Sequence, residues 1–288
     1  MTNPALLFIK LGVIGFCLLT QLLACPTAWS RDPLRIGLTP TFLNERHALM
    51  ADWQSYLESR LNRPVVFVLR DSYREAMELL RAHKLDAAWL CDCPHVTANP
   101  EFRLLATPIF EGRPYYRAYL IVPEEDQATS NIQDLEGKVF AYTDPYSNVG
   151  YLSPRYDLWK LGRDPDHYFR RTFYAGSHRK AIKAVVVGVA DGASVNSYIW
   201  ETINKQAPAL TGQTRVAARS REYGFPPMVV NRSLPAGTFG DLQRALIEMD
   251  KHAVGREVLT RMNLDGFRKP DARIYLPVRE MVRTMQER

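Results

Sequence analysis

Residues 144–158 read DPYSNVGYLSPRYDL, and the fold follows from how that stretch joins its two neighbours. Before it runs Lys138-Val-Phe-Ala-Tyr-Thr143, a short apolar segment rich in aromatic and β-branched residues, which is the pattern of a buried strand. From Leu152 onward, Tyr156, Leu158, Trp159 and Leu161 recur at helical spacing. Between strand and helix sit Asp144, Pro145, Ser147, Asn148 and Gly150. These are the parts of an anion cradle. The first N–H groups of a helix have no partner within it, and the helix dipole adds partial positive charge there. Ser147 can cap the helix and donate, and Gly150 lets a ligand come close to the backbone. The same composition suits an ordinary strand-to-helix turn, so this stretch alone leaves both readings open.

Working outward, strand and helix patterns alternate. Leu34–Thr39, Pro64–Leu69, Leu85–Leu90, Arg103–Thr107 and Tyr115–Val122 read as strands. A helix is expected from Asn44 to Leu61, with Leu49, Trp53, Tyr56, Leu57 and Leu61 on one face. A second runs from Ser72 to His83, opening on a Ser72/Glu75 capping box. Alternation with short connections implies largely parallel sheets, whose ligands gather at the carboxyl ends of strands. The turns expected there are Thr39–Phe42, Asp71–Tyr73, Cys91–His95, Asp144–Gly150, Gly176–His178 (before a helix from Lys180 to Gly188) and Asp191–Ser197. The polar tract Pro123–Asp134 and the pair Pro226-Pro227 read as crossings between lobes, giving 34–122 as the first part of lobe 1, 123–226 as lobe 2 and 227–288 as the return. A chain that leaves a domain and comes back has two hinge strands and closes on a guest between the lobes.

With 288 residues, 46% of them hydrophobic and 24% charged, the composition suits a globular chain of two domains. The net charge of +6 comes from scattered Lys and Arg, often beside acids, so a nucleic-acid stripe is not expected. Residues 11–24 form an apolar run behind Lys10, short for a membrane span and right for a signal peptide covering 1–30. Ala28-Trp29-Ser30 reads as a cleavage site, and Leu22-Leu23-Ala24-Cys25 as a lipoprotein box that would anchor Cys25. Periplasmic export is the expectation in either case.

The opening LRIGLTP, the LDAAWL strand with CDCPHV after it, the block DLEGKVFAYTDPYSNVGYLSPRYDL and the segment GSHRKAIKAVVVGVADGASV together resemble the phosphate/phosphonate-binding solute receptors of ABC transporters. The resemblance covers nearly all of the chain from Leu34. It implies an α/β, two-lobed periplasmic-binding-protein type II fold, with two mostly parallel sheets, helices on both faces and two hinge crossovers. It also implies capture of a small oxyanion without chemistry, a monomeric protein with no cofactor, and an ABC permease or a sensor histidine kinase as membrane partner. By position, Ser147, Asn148, Val149 and Gly150 match the family's anion-holding turn, His178 its Gly-Ser-His histidine, and Asp191 an acid that braces a loop. Two departures remove hydroxyl donors: Asn148 and Val149 follow Ser147 in the turn, and His95 stands where a tyrosine is usual.

A desolvated anion needs protein donors in place of water. The backbone of 148–150, Ser147, Thr39 or Thr41, Tyr73 and His178 supply them in sufficient number. Cys91, Asp92, Cys93, Pro94 and His95 form the sharpest local constellation. Two thiols two apart suit a thiophilic metalloid such as arsenite, although the spacing is not one used for zinc. Three readings of Cys91 and Cys93 stay open: core packing, a soft-ligand role or redox chemistry. The leading function is therefore an exported receptor for a phosphate-, phosphonate- or phosphite-like oxyanion. The alternatives are an arsenite sensor signalling to a kinase, and an enzyme with a Cys91 or Cys93 nucleophile and a His95 or His178 base.

Overall fold

The computed structural model describes residues 32–39, 47–98 and 100–287. Thr41, Phe42, Asn44, Cys25 and the expected leader lie outside them. Eleven strands among the described residues form two sheets. The first, ordered β11-β4-β10-β3-β1-β2, uses β1 (Leu34–Leu38), β2 (Val65–Leu69), β3 (Ala87–Trp89), β4 (Phe102–Ile109), β10 (Met228–Asn231) and β11 (Gly266–Arg268). The second, ordered β7-β6-β8-β5-β9, uses β5 (Tyr115–Pro123), β6 (Val139–Tyr142), β7 (Arg171–Tyr174), β8 (Gly192–Asn196) and β9 (Thr214–Gly224). The expectation of mostly parallel sheets is corrected: both are mixed. Strand β1 is parallel to β2 and β3, but β10 runs antiparallel to β3 and β4. In the second sheet β6 is parallel to β7 and β8, whereas β5 is antiparallel to β8 and β9. The strands beside the crossings cause this: β10 re-enters the first sheet and β5 enters the second from the other lobe, and neither is tied to a right-handed parallel crossover.

The helices are α1 (His47–Leu61), α2 (Tyr73–Arg81), α3 (Asp92–Thr97), α4 (Ser153–Lys160), α5 (His178–Val186), α6 (Ser197–Gln206), α7 (Pro208–Thr211), α8 (Ala236–Ile247), α9 (Ala253–Met262) and α10 (Leu276–Gln286). Helix α1 buries Leu49, Trp53, Tyr56 and Leu57, the face its periodicity marks. Trp53 packs edge-on against Trp89 of β3, with ring centroids 6.3 Å apart, and burial of such side chains contributes about 1.5–3 kcal/mol each. Strand β3 is covered on both faces. Ala87 and Trp89 join one core cluster, and Ala88 with the following Leu90 joins another, as the period-2 alternation of a strand requires.

The crossings lie elsewhere than expected at one end. Strand β5 belongs to the second sheet, so the chain leaves the first sheet between Ile109 and Tyr115, not at Pro123–Asp134. The 123–134 tract connects β5 to β6 within the second lobe. There Asp126 accepts from the amides of Ala128 and Thr129, and Asp134 accepts from Ser130 and Asn131. Its polar composition reflects these local turns, not an open linker. The return falls between Gly224 and Met228 and contains Pro226 and Pro227. The two crossings touch: the Phe225 amide donates to the Pro114 carbonyl at 2.9 Å.

Two local details shape the strand ends. Cys91–His95 is not an open turn. Cys91 is extended and caps α3, and Pro94 sits in the first helical turn, where its missing N–H leaves nothing unsatisfied. After β6 the chain makes one π-helical turn over Asn148–Leu152, with the Leu152 amide bonded to the Ser147 carbonyl, before α4 begins. Gly150 lies in that turn, and a Cβ there would stand 1.8 Å from the Thr143 Oγ1. Thr143 fills the space beside this glycine, letting the π turn press onto the end of β6. Gly150→Ala should therefore lower stability by at least about 3 kcal/mol. Gly240→Ala in α8, where nothing lies within 4 Å, should raise it by about 0.5–1 kcal/mol. Urea unfolding of the two variants checks this, and equal effects would remove the steric account.

Candidate functional site

The carboxyl ends of β3 and β6 meet at a buried polar cluster. Asp92, the first residue of α3, is fully buried and its carboxylate is surrounded by donors. Tyr116 of β5 donates its hydroxyl at 2.8 Å, the Asn148 side-chain amide donates at 2.7 Å, and the Cys93 amide donates at 3.1 Å. The Cys91 thiol donates to the same carboxylate at 3.0 Å. The Cys91 sulfur in turn accepts the Asn148 backbone N–H at 3.4 Å. Asp92 and Cys91 follow a strand of the first sheet, while Tyr116 and Asn148 belong to the second, so the cluster joins the two lobes. A second link runs the same way: the Asp144 carboxylate accepts from the Tyr146 amide at 2.7 Å and from the Tyr73 amide at the start of α2.

Burial governs the electrostatics. It raises the Asp92 carboxyl to about 6, against the lowering effect of its donors, Cys91 and Tyr116 among them. Burial, then the Asp92 charge, pushes both the Cys91 and Cys93 thiols up, so both are protonated at neutral pH. Neither forms a disulfide, and Cys93 packs in the core. His95 lies on α3 edge-on to Tyr275, centroids 5.2 Å apart, and burial with the Arg279 charge lowers it to about 4. His178, the first residue of α5, is 1% exposed. Its Nδ1 accepts the Asn196 amide at 3.1 Å, and burial lowers it to about 3. Both imidazoles are neutral at pH 7.

The remaining expected residues take the following places. Thr39 is buried and donates to the Trp89 carbonyl, tying β1 to β3. Thr41 lies outside the described residues. Tyr73 is buried at the start of α2. Ser147 caps the π turn by accepting from the Gly150 amide, and the Val149 carbonyl accepts from Ser194 of β8. Asp191 accepts from the Val139 amide at 2.7 Å and so braces β6. Three buried polar atoms beside these groups have no hydrogen-bond partner: His95 Nδ1, Thr143 Oγ1 and Asn148 Oδ1. Among the described residues no Cys–His hydrogen bond forms, and no cluster of His, Cys, Asp and Glu is arranged for a metal ion. The sequence placed Asp92 in the Cys91–His95 constellation but gave it no role of its own, although an acid between two cysteines at a strand end is a legible signal. Tyr116 carries no local signal, because its place depends on which sheet β5 joins.

Two mixed sheets clad in helices, joined by two crossings and meeting through polar strand ends, define a two-lobed receptor fold of the periplasmic-binding-protein type. The chain belongs to the family described as ABC transporter, phosphonate, periplasmic substrate-binding protein, which matches residues 36–275. It is 24% identical over 276 residues to the phosphonates-binding periplasmic protein of Escherichia coli K12, covering 92% of this chain and 80% of that protein. Among solved structures, PhnD1 of Prochlorococcus marinus in complex with methylphosphonate superposes with a TM-score of 0.78 at 22% identity, covering 88% of this chain and 98% of that one. A binding protein component of an ABC phosphonate transporter from Pseudomonas aeruginosa gives a TM-score of 0.79 at 22% identity, covering 89% and 87%. No described helix is long and apolar enough to cross a membrane.

The buried imidazole of His178 makes acid stability testable. Its folded value lies below the ordinary 6.5, so the unfolded chain binds the extra proton. The stability this site contributes is full above pH 6.5 and is lost as pH falls toward 3. Between pH 7 and 4.5 the wild type should lose about 3 kcal/mol through this group. His178→Asn keeps an acceptor for the Asn196 amide without titrating, and should lose about that much less over the same range. Urea titrations at the two pH values measure it, and equal losses would reject the assignment.

Proposed function

We propose that this chain captures a small phosphonate-type oxyanion in a cleft between its two lobes and hands it to an ABC permease in the inner membrane. The lobes divide at 110–114 and 225–227, and the paired crossings act as the hinge. Cleavage after Ser30 would make residues 1–30 the export leader, and cleavage ahead of Cys25 would instead leave that cysteine for a lipid anchor. The observation that carries the reading is the position of Asn148: its amide N–H and side chain point from the second lobe at Cys91 and Asp92 of the first. The turn that resembles the family's anion cradle thus faces the opposite lobe. Thr39, Thr41, Tyr73, Cys91, Cys93, His95, Ser147, Val149, Gly150 and His178 are the further candidates to line or frame the cleft.

The donors are neutral. With both histidines uncharged, attraction for an oxyanion would come from backbone amides, helix starts and hydroxyls, and a dry site strengthens each of these. No chemistry is expected, since both thiols are held protonated and neither bonds a histidine, which weighs against a cysteine nucleophile. One observation favours the arsenite-sensing alternative: the Cys91 sulfur occupies the lobe junction and accepts the amide of the cradle turn. Arsenite bonds sulfur, and here it would meet a thiol already in place.

Melting curves with methylphosphonate, phosphate, phosphite, sulfate and arsenite separate these readings. A cognate ligand at a hundred times its Kd adds about 2.7 kcal/mol, which is about 5 °C or more in a domain of this size. A shift with methylphosphonate that survives Cys91→Ser supports the phosphonate receptor. A shift confined to arsenite and lost in Cys91→Ser supports the sensor, and a flat panel rejects both.

A further inference from the structure

Taken as a receptor of phosphonate type, the site has an unusual charge. Its centre is an acid. The Asp92 carboxylate is fully buried and is held by Tyr116, Asn148, Cys91 and the Cys93 amide. Among the described residues no Lys or Arg makes an ion pair or a hydrogen bond with it. The groups facing it from the packed elements are Cys91 at the cap of its helix, Cys93 on that helix, Tyr116 on β5, Asn148 on the π turn, and Tyr275 ahead of α10. Arg279 and Asp144, the nearby charges, act on His95 and Cys93 respectively. Beside the carboxylate, Asn148 Oδ1 is buried without a partner, and an amide oxygen can only accept. Thr143 Oγ1 and His95 Nδ1, also unpartnered, accept as readily as they donate.

A doubly charged guest brings acceptors only. Placed here it would confront the carboxylate at short range with no cation between them, and would leave the amide oxygen unsatisfied. A guest with an O–H group reverses both effects, donating to Asp92 or Asn148 while its remaining oxygens take the amides. We propose that Asp92 is the charge selector of this receptor: it turns away dianions and admits the guest in a hydroxyl-bearing form, so that a phosphonate is held as its singly protonated monoanion. This deepens the phosphonate reading and rests on it. The assignment comes from a buried acceptor pair at the lobe junction, and it makes Asp92 a specificity residue, not a structural acid alone.

Titration calorimetry with methylphosphonate tests it, at a pH about two units above the ligand's second ionisation, in two buffers of different ionisation enthalpy. In solution the ligand is then the dianion, so binding by the wild type should take up about one proton from the buffer per ligand. Asp92→Asn removes the charge. Its uptake should fall toward zero and its affinity at that pH should rise roughly tenfold or more. Binding by the wild type without proton uptake overturns the proposal while leaving the receptor reading intact. A variant with unchanged uptake and affinity also overturns it, since the proton would then reside elsewhere. If Asp92→Asn does not fold, the wild-type uptake alone decides. Absence of binding by folded wild type in both buffers, together with a flat melting panel, rejects the phosphonate reading itself, and this inference with it.

Discussion

The 2.7 Å bond from Asn148 to Asp92 is the contact on which the arrangement of the lobes turns. Each partner is wholly buried, so neither can be left unpaired without a desolvation cost of about 1–3 kcal/mol, and more for a charge. To present Asn148 the second lobe needs the π turn, which widens the helix start and aims the residue outward from the end of β6. The π turn in turn needs Gly150 against Thr143. To present Asp92 the first lobe needs α3 to begin just past the end of β3, with the extended Cys91 as its cap. A single polar contact thereby sets demands on both sheets.

The chemistry around that contact is restrained. Charge is present but enclosed, thiols are present but protonated, and both imidazoles are neutral. A nucleophile would need a thiolate and a base, and burial works against each of them here. The same features suit reversible capture, in which nothing reacts and the guest must leave again. A receptor depends on donors fixed before the guest arrives, and the hydrogen bonds at Thr39, Ser147, Asp191 and Asn196 hold the strand ends in that way.

Much of the first sheet was legible because its inner strands are continuous apolar runs bounded by Pro, Asp or Gly. Helix α1 was legible from its spaced Leu, Trp and Tyr residues. Three things were not. Strand β9, TRVAARSREYG, is an edge strand whose charges alternate with half-buried residues, so it lacks the apolar run that marks a strand. Strand β5 was recognised, but its sheet was not, because periodicity names an element and not its partners. The π turn was hidden for a related reason: DPYSNVGYL has the composition of any helix start, and only the packing of Gly150 on Thr143 selects the wider turn. At the site, the turn residues and His178 stood out in the chain, whereas the pairing of Asp92 with Tyr116 and Asn148 depends on tertiary placement.

The bond between the Phe225 amide and the Pro114 carbonyl has a mechanical meaning. Two connectors tied side by side behave as a strap: they flex readily about the line that passes through both, and they resist a twist of one lobe over the other. On the proposed reading, loss of the guest would register at the far rim as a gape of fixed orientation, the kind of binary shape difference a membrane partner can read without touching the guest at all.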